Sequence, residues 1–137
     1  MTSPRSRALA ALLCTALCAG AAWAGPDWEA LADTKLIEVI TTDADGSPRE
    51  ITIWFVVVDG QGFIRTGETR WWENLGRDPH LVLRIDDTDY PLRADPIRDE
   101  AFRTRIREAF REKYGWQDRI FPVLRGQNAH IMHMAPR

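Results

Sequence analysis

Short runs of apolar and β-branched residues, separated by polar turn formers, dominate the first half of this sequence. Residues 35–42, 49–58 and 63–66 are rich in Ile, Val, Thr, Phe and Trp, residue types that favour a pleated, half-buried sheet. The segments between them, DADGSP at 43–48 and DGQG at 59–62, are dense in Asp and Gly and are typical of tight chain reversals. The pattern predicts three consecutive antiparallel strands.

After the third strand the hydrophobic period changes from that of a strand to that of a helix. Trp71, Trp72 and Leu75 fall at positions i, i+1 and i+4, which places them on one side of a short helix over residues 67–76. Gly76 suits the C-terminal end of this helix, and the Asp-Pro pair that follows blocks its continuation. We expect Trp72 and Leu75 to lie in the core, whereas Trp71 is open either to the core or to a ligand.

Further strand patterns follow the short helix. Residues 80–86 predict a strand and residues 89–94 its hairpin partner. Pro91 cannot donate a hydrogen bond to a ladder, so the second of these strands is expected to lie at a sheet edge or to carry a bulge. Residues 128–134, NAHIMHM, predict a closing strand.

The longest periodic segment predicts a helix over residues 98–114, with Gly115 as its C-terminal cap. Its apolar positions recur every fourth residue and are Phe102, Ile106, Phe110 and Tyr114. Together these elements predict an α+β protein. We expect a six-stranded antiparallel split β-barrel with one short and one long helix.

The first residues have the layout of a secretory signal peptide. Arg5 and Arg7 precede an apolar run from residue 8 to about residue 19, and the small-residue segment 22–24 stands before Gly25. This order predicts cleavage before Gly25. The alternative is an uncleaved N-terminal anchor, although the apolar run is shorter than the roughly 20 residues that a membrane span needs.

The chain therefore divides into a signal peptide over residues 1–24 and a single split-barrel domain over residues 25–137. The expected location of the mature protein is the periplasm or the extracellular space. Cys14 and Cys18, the two cysteines of the chain, both lie in the leader. The mature domain then has no disulfide, no thiol nucleophile and no thiolate metal site.

Charge narrows the range of partners. The whole chain has 18 basic and 20 acidic residues, and the leader holds two of the basic ones and none of the acidic ones. The mature domain therefore carries 16 basic and 20 acidic residues, a net charge of −4 with neutral histidines. Duplex nucleic acid and anionic membranes both select a basic face, so we expect neither as a partner and expect a small-molecule ligand instead.

Cationic and hydroxyl side chains gather where the short helix begins. Arg65, Thr66, Thr69 and Arg70 all precede or open this helix. Unpaired N–H groups at a helix N-terminus attract anions, and guanidinium and hydroxyl donors suit phosphate oxygens. Trp71 adds a flat aromatic surface beside them. The combination predicts a site for a flavin-like or nucleotide-like cofactor.

A less specific interpretation of the same residues is a solvated surface. Arg65 and Arg70 could pair with Glu68 and Glu73, and such exposed pairs contribute about 0–1 kcal/mol. Glu68 would also compete with a phosphate for the same donors.

Two other polar clusters favour structural roles. His130, Met132 and Met134 share one face of the predicted last strand, a ligand set that suits copper, but methionines more often fill gaps in a core. Asp86, Asp87 and Asp89 lack the loop length and glycine of a calcium site and are expected to form a solvated turn. We therefore predict no metal site.

The stretch from IWFVVVDGQGFIRT to WWENLGRDPHLVLRI resembles the pyridoxamine 5'-phosphate oxidase-like split barrels and their deazaflavin-dependent nitroreductase relatives. In that superfamily a strand and a polar turn precede a short helix, which is followed by a further strand. The residues that match this pattern are Asn74-Leu75, Asp78-Pro79 and Leu81-Val82-Leu83. Residues 110–120, FREKYGWQDRI, are similar to the exit of the long helix, so the resemblance covers nearly the whole mature domain.

The resemblance implies a homodimer that binds FMN or a deazaflavin in a groove between its subunits. Thr52 and Trp54 would face the cofactor ring. The residues implied at the ribityl and phosphate end are Arg65, Thr66, Gly67, Thr69, Arg70 and Trp71.

Two functions follow as expectations. The first is an exported oxidoreductase in which FMN or a deazaflavin does the chemistry and the protein orients it, with no side chain nominated as catalytic. The second is a non-enzymatic small-ligand-binding module that keeps the barrel without flavin. Thr66, Thr69 and Arg70 favour the first. Glu68 favours the second, as does Trp71, which stands near the position where flavin-binding members often carry a second basic residue.

Overall fold

The computed structural model describes residues 25–120 and 129–137. The predicted signal peptide, residues 1–24, lies outside the described residues. The described part of the chain forms seven strands and three helices. In chain order these are β1 (Ile37–Thr42), β2 (Pro48–Ile53), β3 (Phe55–Val58), β4 (Gln61–Thr66), α1 (Arg70–Arg77), β5 (His80–Ile85), β6 (Thr88–Pro96), α2 (Glu100–Tyr114), α3 (Gln117–Ile120) and β7 (His130–Pro136).

The strands form one antiparallel sheet in the order β2-β1-β5-β6-β7-β4-β3. The sheet curls into a half-barrel, and helices α1 and α2 pack against it. The predicted α+β split-barrel class is therefore confirmed, with seven strands in place of six.

The extra strand comes from a break at Trp54. The run over residues 49–58 was expected to be one strand, but β2 pairs with β1 and β3 pairs with β4. The two pieces lie at opposite edges of the sheet. Trp54 belongs to neither strand, and its indole stacks on Tyr114 with ring centres 4.3 Å apart. A continuous β-branched run conceals this crossing because every residue in it suits a strand.

The expectation that Pro91 marks an edge strand is wrong for β6 as a whole, since β6 lies between β5 and β7. The pairing with β7 extends only from Leu92 to Pro96. At Pro91 the strand pairs with β5 alone, opposite Val82. The missing N–H of Pro91 therefore costs no hydrogen bond to β7, which explains how a proline fits an internal strand.

Two of the reversals use left-handed backbone conformations. Asp59 and Gly60, between β3 and β4, have φ angles of 52° and 70°, the signature of a primed hairpin turn. Asp86 and Asp87, between β5 and β6, have φ angles of 47° and 62° and are exposed. The predicted turns are confirmed, including the solvated acidic turn.

Helix α1 buries a different tryptophan from the one expected. Trp71 is 8% exposed and, with Leu75, belongs to a core cluster between α1 and the sheet. Trp72 is only half-buried and packs against the border of that cluster. Trp71 and Leu75 stand four residues apart, so they lie one above the other on the inner face. A second cluster lies beneath α2 and is formed by Val56, Phe63, Ile106, Phe110, Tyr114 and Ile131.

Candidate functional site

A pocket opens where three elements meet: the chain crossing at Trp54, the end of β4 and the start of α1. Its volume is 280 Å³. The residues that line it, which we call the barrel pocket, are Leu36, Thr52, Ile53, Trp54, Arg65, Thr66, Thr69 and Trp71. Six of these are among the eight residues implied as a cofactor site, so the fold brings most of the predicted set to one place.

Two threonines join the end of β4 to the start of α1. Thr69 is the N-cap of the helix, and its Oγ1 accepts a hydrogen bond from Trp72 N at 3.3 Å. The hydroxyls of Thr66 and Thr69 lie 3.0 Å apart and form a hydrogen bond. These bonds fix the helix N-terminus at the mouth of the barrel pocket, where the first amides of a helix have no partner within the helix.

The opposite wall of the barrel pocket is aromatic and firmly held. Trp54 stacks almost parallel on Tyr114, at an interplanar angle of 6°. The hydroxyl of Tyr114 accepts a hydrogen bond from Phe55 N at 3.0 Å and can donate to Lys35 O at 2.9 Å. Burial raises the pKa of Tyr114 to about 12. This hydroxyl therefore stays protonated near neutral pH and serves to position the wall.

Arg65 does not meet the pocket as a free cation. It forms an ion pair with Asp118, and both side chains are 2% exposed. The guanidinium carbon lies 4.0 Å from the centre of the Phe110 ring, a cation–π distance. Burial lowers the pKa of Arg65 and Asp118 opposes that shift, so the guanidinium remains charged. The suggestion that Arg65 pairs with Glu68 is wrong, because Glu68 Oε1 lies 2.6 Å from His130 Nε2.

Asp118 is the residue of this region that sequence reasoning missed. It lies in α3, 53 residues along the chain from Arg65. An isolated acidic residue after a helix gives no signal of burial in the sequence. Its segment was matched to the family only as the exit of the long helix.

Arg70 is exposed and lies away from the barrel pocket. It lines a second pocket of 340 Å³ on the side of α1 that faces the β1–β2 turn. The lining residues, which define the turn pocket, are Asp43, Ala44, Asp45, Arg70, Glu73, Asn74 and Arg77. Gly67 is buried and lines neither of the two pockets. The two arginines predicted to clamp one phosphate therefore line separate pockets.

A hydrogen-bond network organises the turn pocket around Asn74, which is 1% exposed. Its Nδ2 donates to Thr41 Oγ1 at 3.0 Å and to Asp43 Oδ1 at 2.7 Å. Arg49 donates to both carboxylate oxygens of Asp43 at 2.8 Å. Hydrogen bonds from Arg49 and then Asn74 lower the pKa of Asp43 to about 2. The polar groups of this network form hydrogen bonds with one another, which indicates a structural role.

The histidines and methionines of β7 have structural partners. His130 stacks on Trp72 with ring centres 3.7 Å apart, and Met132 and Met134 are buried in the core. Within the described residues no three His, Cys, Asp or Glu side chains come together in a way that could hold a metal ion. The same part of the chain contains no helix that is long and apolar enough to cross a membrane.

Several solved structures share this fold, among them the following three. A "Putative Pyridoxamine 5'-phosphate oxidase" from Listeria innocua is 19% identical, with a TM-score of 0.60 over 80% of this chain and 91% of the other. HutZ, described as the heme storage protein from Vibrio cholerae, is 17% identical, with a TM-score of 0.61 over 75% and 82%. An F420-H2 dependent reductase is 16% identical, with a TM-score of 0.59 over 73% and 94%.

These likenesses confirm the split-barrel fold of the pyridoxamine 5'-phosphate oxidase-like proteins. No protein of curated function matches the sequence. The sequence model of the family DUF2255, "Uncharacterized protein conserved in bacteria", matches residues 27–132. The chain belongs to that family.

Proposed function

We propose that this DUF2255 protein binds a small planar organic molecule in the barrel pocket, with the ring of a flavin or a deazaflavin as its first candidate, and acts as an oxidoreductase through that cofactor. One observation supports this most strongly: six of the eight residues implied by the family resemblance line a single concave pocket at a helix N-terminus. One of the solved structures that share this fold is an F420-H2 dependent reductase, and this similarity agrees with the proposal.

The pocket suits a ring in both size and surface. Its volume of 280 Å³ is just below the roughly 300–1,000 Å³ typical of small-molecule sites. Trp54, held by Tyr114, and Trp71 supply a rigid apolar surface, and the hydroxyls of Thr52 and Thr66 can form hydrogen bonds with ring heteroatoms. Such a pocket fits a ring better than a complete dinucleotide.

A bound flavin or deazaflavin would supply electron or hydride transfer, and the chain would orient the ring and exclude water from it. Arg65 is the single titratable side chain among the residues that line the barrel pocket, and it is paired with Asp118. We assign no acid or base catalyst.

Heme is a less suitable occupant, although HutZ is described as a heme storage protein. Heme iron requires an axial ligand, usually His, Cys, Met or Tyr. None of the eight residues that line the barrel pocket is of these types.

The second candidate function is a non-enzymatic binding module. It is favoured by the charge arrangement, because Arg65 is neutralised by Asp118 and Arg70 lines the turn pocket. Among the residues that line the barrel pocket, a phosphate group would therefore find no pair of converging guanidinium groups. In this case the occupant is a phosphate-free small molecule and the protein only carries or senses it.

We further propose that the protein is exported to the periplasm or beyond and works there as a homodimer. The N-terminal pattern of residues 1–24 supports export.

The exposure of Leu36 supports the homodimer, because Leu36 lines the barrel pocket yet is 53% exposed. A second subunit that covers Leu36 would close the pocket and remove this apolar side chain from water. Sedimentation equilibrium of the secreted protein measures this directly.

Cofactor titration tests the proposed function. The protein purified from its export compartment is mixed with riboflavin, FMN or a deazaflavin, and tryptophan quenching and flavin fluorescence are followed. Thr52→Val removes a pocket hydroxyl at an exposed strand position, and one hydrogen bond contributes about 0.5–1.5 kcal/mol. We therefore expect affinity to fall about two- to tenfold, with Thr42→Val, an exposed β1 position outside the pocket, as the matched control. If none of the three compounds binds, the flavin proposal is abandoned.

A further inference from the structure

We propose that Asp118 sets the charge specificity of the barrel pocket, so that the pocket selects an uncharged ring with carbonyl acceptors over a phosphorylated one. The choice of ligand class rests on the proposed function, whereas the electrostatic role of Asp118 can be tested without any flavin. Asp118 is thus a specificity-determining residue that acts through Arg65.

The geometry places a carboxylate where an anionic ligand group would otherwise be attracted. Arg65 is the single cationic residue among the eight that line the barrel pocket. Its NH2 nitrogen is bonded to Asp118 Oδ1, and only 2% of either side chain is exposed. Phe110 covers the guanidinium at 4.0 Å. The chain itself therefore occupies the position of a counter-ion.

Burial makes this arrangement selective. Away from water the attraction between two opposite charges is weakly screened. The negative charge of Asp118 therefore offsets most of the positive electrostatic potential that Arg65 produces in the pocket. A phosphate near Arg65 would also meet the carboxylate of Asp118 at short range and with little screening. Both effects disfavour an anionic ligand group at this end of the pocket.

Arg65 still has one donor to offer a neutral ligand. Among the described residues its Nε is buried and has no hydrogen-bond partner. A buried donor without an acceptor is uncommon in folded proteins. A ring carbonyl would satisfy it and would add no net charge beside Asp118. Uncharged isoalloxazine-type rings carry such carbonyl groups, and a phosphate tail is not required.

The first test compares two flavins that differ by one phosphate. For the wild-type protein we expect riboflavin to bind at least about threefold more tightly than FMN. In Asp118→Asn the guanidinium loses its charged partner, and we expect FMN to bind at least about tenfold more tightly than riboflavin. A wild-type protein that binds FMN as tightly as riboflavin or more tightly, or an unchanged ratio in the variant, overturns the proposal.

The second test uses inorganic phosphate and needs no flavin. Phosphate should raise the melting temperature of Asp118→Asn by about 3–6 °C relative to chloride at equal ionic strength, because it can replace the lost Asp118 carboxylate as the counter-ion of the buried Arg65. The double variant Arg65→Met/Asp118→Leu removes both charges and serves as the matched control. We expect phosphate to change its melting temperature, and that of the wild type, by less than about 1 °C.

The outcomes separate the two proposals. Phosphate stabilisation of Asp118→Asn alone, without any flavin binding, supports the role of Asp118 and rejects the flavin function. Equal stabilisation of the wild type and the double variant shows that phosphate binds elsewhere and overturns the inference. If Asp118→Asn does not fold, the wild-type measurements decide: specific stabilisation of the wild type by phosphate, or a wild-type preference for FMN, rejects the proposal.

Discussion

The barrel pocket and the turn pocket, which flank α1, differ in how their arginines are buried and paired. In the barrel pocket Arg65 is buried, and one equally buried carboxylate neutralises it. In the turn pocket Arg70 is exposed, and the neighbouring Asp43–Arg49 pair is partly open to solvent, with side chains 17% and 32% exposed. The same residue type therefore serves a desolvated ion pair on one side of the helix and a solvated surface on the other.

This difference shows how little sequence proximity says about a shared site. Arg65 is the penultimate residue of a strand whose last residues are buried, whereas Arg70 is the first residue of α1. Successive helix residues are rotated by about 100°, so when Trp71 is buried beneath the helix, Arg70 is directed away from it. Although Arg65 and Arg70 are only five residues apart, they line different pockets and do not form the predicted phosphate site together.

The largest expected effect comes from breaking the buried pair. Asp118→Ala leaves the charge of Arg65 buried without a partner, and such changes cost about 3–5 kcal/mol of unfolding free energy. Urea denaturation at pH 7 measures the loss. The comparable change beside the turn pocket, Arg49→Met, removes the partly exposed ion pair with Asp43 and should cost about 0–1 kcal/mol.

The Arg65→Met/Asp118→Leu double variant tests whether the ion pair itself stabilises the fold. The alternative is that the fold is destabilised only when one charge is left without its partner. Apolar residues of similar volume commonly replace a buried ion pair at little cost. We therefore expect its stability to lie within about 1 kcal/mol of the wild type. A double variant as unstable as Asp118→Ala would mean that the pair itself holds α3 against the barrel.

The next effect concerns the turn pocket. Asn74→Ala removes the two hydrogen bonds from Nδ2 to Thr41 and Asp43 and leaves the buried Thr41 hydroxyl without this donor. We expect a loss of about 1–3 kcal/mol in unfolding free energy. Arg70→Ala, in the same pocket but exposed, should change stability by less than about 0.5 kcal/mol. Equal effects of the two variants would show that the network adds nothing to the fold.

Local sequence patterns were sufficient for most of the fold. The turns at residues 59–60 and 86–87 depend on a few neighbouring residues, and the four-residue period of α2 is visible without knowledge of its partners. The crossing at Trp54 was not predictable in this way. The β-branched residues on both sides suit a strand equally, and only the pairing of β2 with β1 and of β3 with β4 separates them.

The sequence predicted which residues come together in one pocket, but not the charge state of that pocket. The family resemblance indicated the pocket residues, and six of the eight line one pocket. The neutralising residue was missed because Asp118 reaches Arg65 through the tertiary fold alone. The choice between Trp71 and Trp72 failed because both positions fit one side of a helix, and packing against the sheet selected the one stacked over Leu75.

A smaller effect is expected at the boundary between the two pockets. Thr69→Ala removes the N-cap of α1 and its bond to Trp72 N, a loss that typically costs about 1 kcal/mol. Thr69→Asp keeps a capping oxygen and should restore most of this stability. If Thr69→Ala weakens ligand binding and Thr69→Asp does not restore it, the hydroxyl acts on the ligand as well as on the helix.

The last effect is a pH dependence at the contact between α2 and β3, where Lys113 Nζ donates to Phe55 O at 3.0 Å. Burial, followed by repulsion from Lys35, lowers the pKa of Lys113 to about 8. An unfolded lysine titrates near about 10.4, so between about pH 8 and 10.4 the unfolded chain binds more protons and stability rises with pH. Tyr114 has a pKa raised to about 12 and has the opposite effect, so stability falls between about pH 10 and 12.

Urea midpoints should therefore peak near about pH 10. Lys113→Met should abolish the rise in stability below about pH 10 and leave the fall above it. A rise that survives in Lys113→Met would assign the titration to another group.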